Sequence, residues 1–228
     1  MKEGRDRPVP QSGWARYGFL LVSHFWKLMA ANLLFLLFSL PILTMPAALA
    51  ALNRVCIKLV REGNCLLWEE FRGEFRASLV KGLLIGLPYG LLLAASYYLL
   101  SLARSNSGSI YGIAFFALGL CAFYACASFG SWAFVLLAML ELPVRSLQQN
   151  ARALTALEFK RTLAAMGITV LSVFLTLALF PYSVVLVVLL LPAIGQFSIV
   201  SLYYPAVLAR VIAPYEHSKQ NEPEIKNR

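Results

Sequence analysis

The chain has 228 residues, 60% of them hydrophobic and only 14% charged, with a formal net charge of +9. Soluble domains carry roughly 25% charged residues, and the mean hydropathy here is +0.71. A water-soluble enzyme, a secreted disulfide scaffold and a disordered chain are all excluded. Four runs contain no Asp, Glu, Lys or Arg: 28–53, 82–103, 105–140 and 162–209. Each exceeds the roughly 20 apolar residues that cross a bilayer. The fold class read from this is all-α, a polytopic transmembrane helix bundle.

The first apolar run follows Lys2, Arg5, Arg7, Arg16 and Lys27, and Ala48-Leu49-Ala50 has the small residues of a signal-peptide cleavage site. A signal peptide has an apolar core of about 7–15 residues. This run is longer and is broken by Pro41 and Pro46, so it is read as retained. Each proline removes a helix hydrogen bond and disfavours helix in the residue before it. The pair predicts a turn between a segment at 19–40 and another at 46–60, with Thr44 as N-cap and Pro46 in the first turn. A single kinked span is the alternative.

Further along, 82–103 reads as one segment. The Ser105–Ser109 stretch is a turn, and 110–140 is the next segment. Pro181-Tyr182-Ser183 divides the last run into 162–180 and 184–209. Lys and Arg accumulate in cytoplasmic loops, and this rule arbitrates the count. Six segments with both termini cytoplasmic place 19 of the 20 basic residues inside, whereas five place 14 there. The expected organisation is therefore a basic tail at 1–16, one transmembrane domain at 17–210 and a cytoplasmic tail at 211–228. Arg54 then falls in the middle of the short second segment.

Two connecting stretches carry helical patterns of their own. Trp68, Phe71, Phe75 and Leu79 recur at three- and four-residue steps with Glu69, Arg72 and Arg76 off that face. Val144, Leu147, Ala151 and Leu154 do the same opposite Gln148, Gln149 and Arg152. Both are predicted amphipathic cytoplasmic helices. Stretch 66–80 carries three Glu against two Arg. That balance suits a protein partner better than anionic lipid, so Trp68, Phe71, Phe75 and Leu79 are candidate docking residues. The competing expectation is that both helices pack on the end of their own bundle.

Chemistry-bearing patterns are sparse. The four cysteines include no C-x-x-C pair, and His24 and His217 lie far apart in the chain, so neither a metal nor a cofactor is expected. The apolar segments contain no acidic residue, no nucleophile–base pattern and no P-loop. The chain is accordingly read as not an enzyme, and nothing in it suggests nucleic-acid binding. Asn32, Arg54, Tyr97, Gln196 and Tyr203 are the candidate intramembrane polar residues, with interhelical hydrogen bonding and interfacial anchoring as their structural alternative.

The residues Phe25-Trp26-Lys27-Leu28, Asn32-Leu33-Leu34, Leu36 to Ile42, Thr44 and Pro46-Ala47 resemble the opening of the YesL-like family of bacterial membrane proteins. Lys58-Leu59-Val60-Arg61, Trp68, Phe71, Gln149-Asn150-Ala151 and Arg161-Thr162-Leu163 are similar to it too. Met45 and Arg54 depart from it, standing where glycine and an aromatic or apolar residue are commoner. The resemblance implies a bacterial plasma-membrane protein without an established activity, encoded near carbohydrate-utilisation and sugar-transport genes. The expected function is a non-enzymatic accessory or regulatory subunit of carbohydrate uptake or utilisation, with the lipid bilayer and a sugar-transport complex as partners. The alternative is a transporter or channel for a small uncharged solute, with a cavity lined by Asn32, Tyr97, Gln196 and Tyr203.

Overall fold

The computed structural model describes residues 13–214, so the outer parts of both expected tails, 1–12 and 215–228, lie outside the described residues. Ten α-helices follow one another: α1 Gly13–Ser23, α2 Phe25–Ser39, α3 Met45–Glu62, α4 Leu67–Ala77, α5 Leu79–Ser105, α6 Ile110–Met139, α7 Val144–Leu157, α8 Phe159–Ala178, α9 Ser183–Leu189 and α10 Leu191–Val207. A 3-10 turn, Ile42–Thr44, precedes α3, and a π-helical turn, Leu208–Ile212, follows α10. No strand occurs among the described residues. Both predicted amphipathic helices form, as α4 and α7.

Among the described residues, five helical stretches have the length and apolarity to cross a membrane, and the bent pair α1–α2 is a sixth candidate. The chain is a multi-pass membrane protein. Burial separates these stretches into two kinds. Over the apolar window of α3, 56% of residues are buried inside the protein, against 11% for α5, α6 and α8. α3 is the central helix, packed against α2, α4, α5, α6 and α10. Its small residues Ala47, Ala48, Ala50 and Ala51 are all buried and let those neighbours approach closely. The core continues through the second half of α6, from Trp132 to Ala138, and through Phe197, Val200 and Tyr203 on α10. By contrast, Leu91, Tyr97, Ile113, Phe116, Val173 and Leu177 point outward, as side chains facing lipid do.

Local departures from the expected elements have physical causes. The first segment, expected at 19–40, bends by 70° between α1 and α2. There the Ser23 hydroxyl donates to the Phe19 carbonyl and His24 Nδ1 lies 3.1 Å from the Leu20 carbonyl oxygen. Such local side-chain bonds compete with the helix ladder. Thr44 stands at the N-cap position of α3 as expected, but its side chain does not cap the helix; its hydroxyl donates backwards to the carbonyls of Phe38 and Pro41, at 2.7 and 2.8 Å. Pro46 occupies the first turn of α3 as predicted, and Gly63, at φ 69°, terminates it in a left-handed conformation. The last segment is not one helix over 184–209. It breaks at Leu190, because Pro192 has no N–H to offer the carbonyl of Val188.

Candidate functional site

Asn32 is fully buried on α2 and closes the break between α9 and α10. Its amide nitrogen donates to the carbonyls of Val187 and Val188, at 2.9 and 2.7 Å. Its amide oxygen accepts from the backbone N–H of Ala193 at 3.0 Å. The carbonyl that Pro192 leaves without a partner is thus satisfied from another helix. Backbone at a broken span can be left open to a solute; here a side chain occupies it.

Arg54 joins three elements. It donates through Nη1 to the Ala138 carbonyl at 3.1 Å, in the last turn of α6, where carbonyls lack helical partners. Its Nε lies 3.4 Å from Glu70 Oε2 on α4. Lys58, one turn further along α3, bridges Glu70 and Glu62 at 3.3 and 3.2 Å. Beside this cluster, burial pushes the Glu74 carboxyl above its usual range, and a hydrogen bond from the Ser78 hydroxyl opposes that rise in part. Arg54 is therefore paired to a carbonyl and a carboxylate, not left in the apolar core.

The remaining polar candidates are not brought together with these. Tyr203 is fully buried, stacked on Trp132 with ring centroids 3.6 Å apart, and its hydroxyl lies 3.0 Å from that of Ser131. Trp132 in turn donates to Thr162 on α8 at 2.9 Å. Gln196 is half-buried on α10, and Tyr97 is 77% exposed on the outward face of α5. An open groove of about 460 Å3 lies at the α5–α6 turn, lined by Leu100, Arg104, Ser109 and Phe116 among others. None of the four expected cavity residues lines it.

The stripe on α4 faces inward, which corrects its reading as a row of free anchors. Phe38, at the end of α2, meets Phe75, Phe71 and Trp68 with ring centroids 4.7, 5.5 and 6.4 Å apart. Phe71 is fully buried and Phe75 partly so. Trp68 keeps 51% of its surface exposed and Leu79, now the first residue of α5, keeps 37%. Only those two could reach another protein. α7 likewise buries Leu147, Ala151 and Leu154 against its own bundle.

Sequence reasoning did not identify Phe38 as the partner of α4, Glu70 as the partner of Arg54, or Glu158. Glu158 receives Arg161 and Arg210, each at 3.3 Å, and so ties α8 to the turn after α10. Apart from Glu158–Arg161, which are three positions apart, those pairings join residues 16 to 52 positions apart and leave no local signal. Pro192 did leave one: it stands in an apolar run where a proline must strand a carbonyl.

Comparison with known proteins adds one finding. Residues 28–99 match the family described as protein of unknown function, DUF624. The matched stretch runs from α2 to the last turns of α5, so it contains Asn32, Phe38, Arg54, Glu70 and the whole of α4. No curated protein and no solved structure matches the chain.

Proposed function

We propose that the chain is a non-enzymatic accessory or regulatory subunit in the bacterial plasma membrane, associated with carbohydrate uptake or utilisation. The observation that carries the accessory role is what the internal polar groups do. Asn32 bonds a broken helix, Arg54 holds α3 to α4 and α6, and Tyr203 is stacked and hydrogen-bonded inside the core. Each supports a rigid scaffold, and none is aimed at a common space in which a solute would bind. The carbohydrate association, the bacterial membrane and the YesL-like affiliation rest on the sequence resemblance. A sugar-transport complex would contact Trp68, at the start of α4, and Leu79, at the start of α5.

Co-purification in mild detergent from cells grown on different sugars tests this. A stoichiometric membrane partner, lost in Trp68→Asp while the variant itself accumulates normally, supports the reading. Saturable flux of an uncharged solute by the purified protein in liposomes would replace it with the transporter reading.

A further inference from the structure

The hairpin of α2 and α3 raises a question that charge counting does not reach. If both helices crossed the membrane, their shared turn at 41–46 would lie some 30 Å from α4, the thickness of the hydrocarbon. It does not. Phe38, just before the turn, packs into the aromatic row of α4. Pro46, just after it, sits against the first turns of α5, where a Cβ on Gly86 would lie 2.5 Å from Pro46 Cγ. Gly86 also faces Phe134, near the end of α6. The other end of α2 is on the same side, since Lys27 bonds Asn64 and the Cys65 carbonyl just ahead of α4. α4 joins α5 through Ser78 alone and turns Glu69, Arg72 and Arg76 outward as an exposed charged face.

We propose that the α2–α3 hairpin does not cross the bilayer: its turn returns to the side where α5 begins and docks into the acyl chains of that leaflet. The turn is built for lipid, with Leu40, Ile42 and Leu43 exposed by 76, 85 and 73%. Leu84 and Leu87, on the stretch of α5 against which Pro46 packs, are exposed as well. The crossing elements are then α5, α6, α8 and the broken pair α9–α10. This arrangement keeps 19 of 20 basic residues on one side, as six crossings would. It also removes the need for Arg54 to sit in hydrocarbon.

The test uses single cysteines in a full-length variant in which Cys56, Cys65, Cys121 and Cys126 are replaced by alanine. A membrane-impermeant thiol reagent on intact cells should label Ser107→Cys, in the α5–α6 turn, and should leave Ile42→Cys and Asn64→Cys unlabelled. Labelling of Ile42→Cys or Asn64→Cys together with Ser107→Cys overturns the proposal. As an independent arm, oxidation should link Pro46→Cys to Gly86→Cys, and a short bifunctional thiol reagent should link Phe38→Cys to Phe75→Cys. Absence of both links in protein that has inserted normally also overturns it.

Discussion

At the residue scale, Asn32 and Arg54 have different weights although both are polar groups in apolar helices. Asn32 satisfies two carbonyls and one N–H in a fully buried place, where an unpaired polar group has no water to turn to. Interhelical hydrogen bonds in membranes contribute about 0.6 kcal/mol each on average. Asn32→Leu should therefore cost about 2 kcal/mol, read as a lower melting temperature in detergent. Asn32→Asp should cost at least as much, because a carboxylate turns a second acceptor towards Val187 and Val188. An Asp variant as stable as the parent would show that the two donated bonds carry no weight. Arg54 is 35% exposed at its side chain, and ion pairs that reach solvent contribute about 1 kcal/mol or less. Arg54→Met should accumulate normally and lose no more than that, leaving Glu70 paired to Lys58.

At the scale of elements, α4 shows what periodicity conveys and what it leaves open. Spacing identified the apolar stripe correctly, and the structure forms the helix there. Spacing does not say what covers a stripe, because that depends on a residue 30 or more positions away. Here Phe38 covers it. Phe71→Asp would put an unpaired carboxylate where no surface is exposed, so that variant should fail to accumulate in the membrane. Trp68→Asp, at a half-exposed position, should accumulate like the parent. Equal accumulation of the two would place Phe71 outside the core.

α4 also carries a pH dependence. Burial raises the Glu74 carboxyl above its usual range, so the folded protein holds a proton that the unfolded chain has already released. Stability from this group is present at acid pH and is lost as pH rises through the raised value. Glu74→Gln keeps an acceptor for Ser78 and removes the ionisation. Melting temperatures of variant and parent should coincide near about pH 4 and separate by about pH 7, with Gln the more stable. A constant difference across that range would assign the effect to packing.

For the whole molecule, the class of fold was legible in the sequence because uncharged runs and helical periodicity are local properties. The two amphipathic helices, the turn at Pro41–Pro46 and the division at Pro181 were legible for the same reason. The break at Leu190 went unread although Pro192 marks it, since one proline had already accounted for the length of that run. The polar contacts were not legible: Asn32 meets residues more than 150 positions away, and Arg54 meets Ala138. Composition alone does not distinguish a residue lining a cavity from one clamping a helix.

The same long-range connections decide whether the part matched by the family, residues 28–99, can stand alone. Its central helix α3 packs against α6 and α10, both of which lie beyond residue 99. Asn32 likewise takes all three of its partners from α9 and α10. A fragment ending in the α5–α6 turn would expose the buried face of α3 and leave Arg54 without the Ala138 carbonyl. The 1–107 fragment expressed alone should therefore be degraded. Co-expressed with 108–228, it should accumulate, because α5 and α6 pack along their length and can reassemble from two chains. Immunoblotting of membranes from the two strains reads this directly, and stable accumulation of 1–107 alone would make the matched region a unit that folds by itself.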